Sequence, residues 1–396
     1  MFGSMFGSRA YAYEIYVQVD GRWRLDKRLE GEAGMTKHAN EQLEKSAIAQ
    51  ANALLNMGDF TAVKVLRSRA RDDGFATQSE IFAKTASNKP KAMTTRPFKG
   101  QFPLCTAPHD LSSRQAAKAI GTVFREFLDK QNATGIELIH SPQHFRKLND
   151  MSSFMRAGIY ALAGAQTQPG QPSQSERSKK LEALFDKQMQ LVRDAMAEKG
   201  LPAFENNNFA ALYEKLDARK LPEEQLRFLF FFQMTKVTQT LSSYAGRLDV
   251  ALTDMIERPQ PATAGLMDEI AASCLDSTSL IQDLLGPRTN LSEALIALAE
   301  LSGGKLEMPA RPDPLLEKLN RLLGEGRLPC CTDTLWERIL SNLASKALLS
   351  KSEPKKEWQM SRNLNHKLMA FAPEAYKEQV DHAGRMRMER ARNMED

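Results

Sequence analysis

Cys330-Cys331 places the two most nucleophilic side chains of this sequence next to each other. A thiol reacts as its thiolate, and the unpaired N–H groups at a helix start stabilise that charge. The pair follows Leu328-Pro329 and precedes Thr334-x-x-Glu337, which has the form of a capping box opening a helix. Cys330 and Cys331 therefore read either as reactive, redox-sensing thiols or as two small apolar residues packed in a turn. Cys105 and Cys274 are isolated, so no cysteines have the paired spacing of a zinc site.

His140 and His144 are four residues apart, which on one helix would turn both rings toward one metal ion. Ser141-Pro142 lies between them, and a residue preceding proline avoids helical geometry, so the rings are expected to diverge. The stretch Ala299–Lys305 has part of a phosphate loop, but Ala299 replaces its first glycine and Leu306 its Ser/Thr. It also follows a helix, so Gly303-Gly304 reads as a helix C-cap. No dinucleotide fingerprint, nucleophile elbow or His-Glu-x-x-His is present. The sequence thus assigns no catalytic, cofactor-binding or metal-binding residue.

Arginines give the remaining chemistry. Arg67, Arg69 and Arg71 alternate along one predicted strand, and Arg22, Arg24 and Arg28 lie on another. Together with Tyr16 they predict a basic, stacking face on an exposed sheet, as single-strand nucleic-acid binders use. The competing reading is a solvated face paired to Glu14, Asp26 and Glu80.

The elements that must hold these residues make an α+β protein: a small N-terminal ββαββ domain followed by a larger, mainly α-helical, bundle-like body. Residues 1–10 repeat Met-Phe-Gly-Ser and read as a flexible lead. Over residues 11–84, Tyr13, Ile15, Val17 and Val19 alternate with polar residues, as in a half-buried strand. Asp20-Gly21 turns the chain into a second strand with Trp23 and Leu25. A helix over 37–57 ends at Gly58, and strands at 61–69 and 75–82 flank Asp72-Asp73-Gly74. Residues 85–110, interrupted by Pro90, Pro97, Pro103 and Pro108, read as a linker.

A helical domain is predicted over 111–258, with a capping box at Ser112-x-x-Gln115 and a short apolar strand at Gly135–Ile139. Its centre is one long helix over 222–258. Phe230, Met234, Val237, Leu241, Tyr244, Leu248, Ala251 and Met255 recur in steps of four and three along it. Phe231, Thr238, Ala245 and Leu252 widen that seam on one side, which favours the middle of a bundle over a dimeric zipper. Shorter helices follow over 259–350, and 351–396 reads as a basic tail.

The chain has 396 residues, 42% of them hydrophobic, which suits two or three cored domains. Its net charge of +5 is modest for a dedicated nucleic-acid binder of this length. No apolar run reaches membrane-spanning length and no signal sequence opens the chain. With only 4 cysteines, the expected compartment is reducing and cytoplasmic. The function expected from all this is non-enzymatic protein–protein interaction, as an adaptor, scaffold or assembly factor with protein partners. The alternative is a regulatory nucleic-acid-binding protein using the basic strand face. Self-association, and an enzyme site assembled from scattered residues, stay open.

Overall fold

Alternation of Tyr13, Ile15 and Val17 with Glu14, Tyr16 and Gln18 puts one face of the first strand in the hydrophobic core and gives the other a polar character. In the computed structural model, which describes residues 11–19, 22–32, 35–56, 60–70, 76–85, 93–98, 100–166, 172–204, 208–308 and 311–395, this strand is central to a four-stranded antiparallel sheet. The expected lead at 1–10, the turns at Asp20-Gly21 and Asp72-Asp73-Gly74, the Gly58 cap and Arg71 lie outside the described residues. The chain forms two units, Met1–Met93 and Thr94–Asp396.

The first unit contains β1 (Tyr11–Val19), β2 (Arg22–Glu30), α1 (Lys37–Asn56), β3 (Ala62–Ala70) and β4 (Ala76–Thr85). Spatial order is β2-β1-β3-β4. α1 covers one face, where Ala47, Ala51 and Leu55 meet Tyr13, Ile15, Val17, Val63 and Val65. Small alanines on the helix let it lie close to the branched residues of the two central strands. A bulge at Asp26 in β2 and another at Ile81 in β4 reset the register, so that Leu29 returns to the covered face opposite Tyr13.

The second unit is helical. Its chain opens with α2 (Arg114–Val123), α3 (Arg125–Gln131), α4 (Gly135–His140), α5 (Pro142–Asn149), α6 (Ser152–Ala165), α7 (Gln174–Ala197) and α8 (Phe209–Asp217). It continues with α9 (Glu223–Thr238), α10 (Tyr244–Glu257), α11 (Pro261–Leu275), α12 (Thr278–Leu285), α13 (Leu291–Ser302) and α14 (Pro314–Gly324). It closes with α15 (Pro329–Ala344), α16 (Glu357–Phe371) and α17 (Glu374–Glu395).

Five expectations are corrected here. The predicted helix 222–258 is two helices, α9 and α10, separated by residues 239–243. Ser243 caps α10 by accepting from the Gly246 N–H, and Leu241 sits partly exposed in the connection. The predicted strand Gly135–Ile139 is α4, because Thr134 and Glu137 close a capping box around its first turn. The predicted linker is shorter than 85–110. Arg96 N–H donates to the Val123 carbonyl at 3.0 Å and Phe102 N–H to that of Ala165 at 3.2 Å, so this extended segment is laid onto the helices. The predicted tail is folded: α16 and α17 pack together and bury Leu364, Leu368, Val380 and Arg387. Across the expected boundary at 258/259, α10 packs on α11 within the one unit.

α9 is buried almost all round at Phe228–Thr235, as a helix in the middle of a globular body must be. No helix of the described residues is long and apolar enough to cross a membrane.

Candidate functional site

The register assigns every strand side chain to a face, because residues directly opposite in an antiparallel pair point the same way. Arg24 is opposite Val17 and Arg22 opposite Val19, while Arg67 is opposite Tyr13 and Arg69 opposite Tyr11. These arginines therefore point to the side carrying α1, not to the open face with Tyr16. Arg67 reaches Glu44 of α1 at 3.9 Å, and both Arg67 and Arg69 lie over the Tyr11 ring, at 5.6 and 5.4 Å. Val17 and Tyr13 are about 13 Å apart along β1. The two arginine pairs thus sit toward opposite ends of the sheet and on strands that β1 separates. They do not converge.

What the open face holds is different. Tyr16, opposite Leu25, adjoins Lys64 of β3, and Trp23 is opposite Gln18. The Lys64 ammonium lies 4.5 Å from the Trp23 ring centre and 5.6 Å from that of Tyr16, so one cation bridges two aromatic rings. Trp23 is 40% exposed and Leu25 51%. Beneath them a polar row is fixed: Glu14, itself buried, accepts from the Tyr16 hydroxyl at 3.2 Å and from Gln78 Nε2 at 3.1 Å. Arg28 reaches the same carboxylate at 3.5 Å. Burial and the neighbouring Glu14 raise the Tyr16 phenol above its ordinary pKa, so it stays a neutral donor. By register the open face carries Glu14, Glu30 and Glu80 against Arg28 and Lys64. It is an aromatic and aliphatic surface with nearly balanced charge.

Cys330 and Cys331 lie in the first turn of α15, whose start is Pro329 rather than Thr334. The free N–H groups expected there exist, but Asp268 of α11 takes them: it accepts from Cys330 N at 2.6 Å and Cys331 N at 3.0 Å, fully buried. A carboxylate in the place where thiolate charge would be stabilised reverses the expected effect. Burial, and then Asp268, push the Cys330 thiol up to about 12, and the same causes hold Cys331 well above its ordinary range. The geometry describes packed thiols at a helix junction. Arg114 of α2 donates to the Cys330 carbonyl at 3.1 Å and to Asp333 at 2.9 Å, and Tyr376 of α17 donates to Asp333 at 2.8 Å. The crevice beside them, between Lys118, Ser273 and Thr334, is about 20 Å³, room for one water.

His140 and His144 belong to different helices. His140 is buried between Phe228 and Phe231, with ring centres 5.5 Å away on each side, and its Nδ1 is 2.8 Å from the Ile136 carbonyl. Among the described residues, no group of three His, Cys, Asp or Glu side chains is placed to hold a metal ion.

Burial lowers the His140 pKa to about 4, and nearby Arg227 acts in the same direction. The unfolded chain takes up a proton near the ordinary value of 6.5 while the folded chain does not. Stability is therefore complete above that value and is lost as the pH falls toward 4. Between pH 7 and pH 5 this one residue removes about 2 kcal/mol. Urea unfolding followed by far-ultraviolet circular dichroism should show that loss, and His140→Phe should remove most of it. His144, whose pKa burial also lowers, leaves a remainder. An unchanged pH dependence in His140→Phe would mean that folded His140 takes up its proton as readily as in the unfolded chain.

The comparisons with known proteins find no match for this chain among family models, curated proteins or solved structures.

Proposed function

We propose that the chain is a non-enzymatic interaction protein, an adaptor, scaffold or assembly factor whose N-terminal sheet receives a protein partner on its open face. The observation that carries this reading is the pairing of Trp23 and Leu25, two large apolar side chains side by side on a sheet face that α1 does not cover. Interface centres are enriched in aromatic residues and rimmed by polar ones, as Trp23 and Leu25 are here by Lys64 and Gln18. The buried Glu14 row holds Tyr16 in a set orientation and so lowers the entropy lost on binding. The proposed compartment is the cytoplasm, which suits the free thiols of Cys105, Cys274, Cys330 and Cys331.

A second reading, single-stranded nucleic acid, draws on the same Tyr16, Lys64 and Trp23 cluster, because aromatic rings beside a cation also stack bases. The acidic residues of the face and the divergence of Arg22, Arg24, Arg67 and Arg69 favour protein.

The full chain and its Trp23→Asp/Leu25→Asp variant, purified by affinity from the native host, should differ by the loss of one defined protein. Both changes are at exposed positions, so the melting temperature should move by less than about 2 °C. Identical partners for both would reject the open face. A gel shift with single-stranded RNA that salt weakens and Trp23→Asp abolishes would establish the second reading instead.

A further inference from the structure

Where α15 ends, α17 closes it with two arginines. Arg387 donates through Nη1 to the carbonyls of Asn342 at 3.1 Å and Leu343 at 3.2 Å, and Arg390 to those of Ala344 at 3.0 Å and Leu343 at 3.1 Å. Cations at the negative end of a helix satisfy carbonyls that have no partner within it. Beside this contact lies a cavity of about 350 Å³, within the size range of small-molecule sites. Ala347, Leu348 and Ala391 supply apolar wall, and Lys346, Arg387 and Arg390 supply positive charge.

The one carboxylate in the lining is already neutralised. Glu357 is buried, paired through one oxygen with Arg387 at 2.8 Å, and its other oxygen accepts the Leu349 N–H at 2.8 Å. Lys346 is exposed at the edge and has no ion pair among the described residues. The Arg387 side chain is 4% exposed, and its Nε–H has no acceptor among the described residues. The balance of the lining is thus positive, on an apolar wall.

From this geometry we infer that the cavity between α15, α16 and α17 binds a small organic carboxylate with an aliphatic body. The carboxylate lies toward Lys346 and Arg390, and the chain lies along Ala347, Leu348 and Ala391. A single negative charge suffices, because the arginine forks are turned to helix carbonyls and few donors remain for a phosphate.

Isothermal titration of the full chain with sodium octanoate tests this. One octanoate should bind per chain with Kd below about 1 mM, and 1-octanol at least about tenfold more weakly. Lys346→Gln should weaken octanoate about fivefold. Ala347→Trp, at an exposed residue of the lining, should abolish binding while leaving the circular dichroism unchanged. No octanoate binding, equal binding of octanol, or octanoate binding that survives Ala347→Trp would each overturn the site. Octyl phosphate binding more tightly than octanoate would overturn its assignment to a carboxylate.

Discussion

Glu137→Gln should lower the melting temperature of the helical unit by about 5 °C. Glu137 and Arg247 form an ion pair at 2.8 Å with side chains 3% and 4% exposed. Arg247 Nε also donates to the Thr238 carbonyl at 3.1 Å, while its Nη1 has no acceptor among the described residues. The pair ties α4 to α10 and to the end of α9. The second oxygen of Glu137 accepts the Thr134 N–H at 2.7 Å and closes the α4 capping box. Glutamine keeps an oxygen for that cap and a similar volume, but it turns an amide N–H toward the Arg247 Nε–H, so the counter-ion and its acceptor are lost together. It leaves a guanidinium in the core without its counter-ion, at a cost of about 3 kcal/mol or more. Replacing both ends, Glu137→Gln with Arg247→Met, should cost less than the sum of the single changes, since no uncompensated charge remains. Thermal melts of the four proteins measure the coupling directly. Additive single and double variants would show that the two charges are solvated independently.

Gly304→Ala should be the most damaging single-methyl addition in the helical unit, costing about 3 kcal/mol or more. α13 ends in a Schellman turn: Lys305 N–H donates to the Glu300 carbonyl at 2.8 Å and Gly304 N–H to that of Leu301 at 2.9 Å. Gly304 takes φ +65° there, and a Cβ on it would fall on the backbone of Gly324, where α14 crosses. Gly326 is the control. It ends α14 with the same turn at φ +68°, yet nothing lies within 4 Å of its Cβ position. Gly326→Ala should therefore show the left-handed backbone cost alone, about 1 kcal/mol. The difference between the two variants in urea unfolding measures the close crossing of α13 and α14. Equal losses would mean that backbone conformation, not crossing, sets the cost.

Gly304 also shows how local signals carry. The glycine pair that partly matches a phosphate loop is legible from sequence as a helix stop, because the signals involved are within one turn. Caps at Asn290 and Asp313 are equally local, each accepting from an N–H two or three residues on. Alternation in β1 likewise suffices to place its core face.

Long-range partners are what periodicity and spacing could not supply. The seam through Leu241 keeps its three-and-four rhythm across the break between α9 and α10, since spacing alone does not register a change of direction. The hydroxyl run Thr240, Ser242 and Ser243 carried that signal, as such side chains compete for backbone groups and favour caps. Thr134 and Glu137 equally announced α4, but the apolar residues between and after them imitate a buried strand. Asp268 is 62 residues from Cys330, so nothing near the cysteines reveals that the start of α15 is already capped. The arginine faces failed for a related reason. Alternation groups Arg67 with Arg69, but only the pairing with β1 says which side of the sheet they take. That same pairing brings Trp23, Tyr16 and Lys64 together from three strands, a cluster legible only once the order β2-β1-β3 is known.

The most direct test places the photo-crosslinking residue p-benzoyl-phenylalanine at Leu25 in the full chain, expressed in the native host, with the same residue at Arg67 as the comparison. A discrete adduct to one protein from position 25, missing from position 67, is the predicted result. No adduct at position 25, an adduct to nucleic acid, or equal adducts from both faces would contradict the open sheet face as the protein-binding surface.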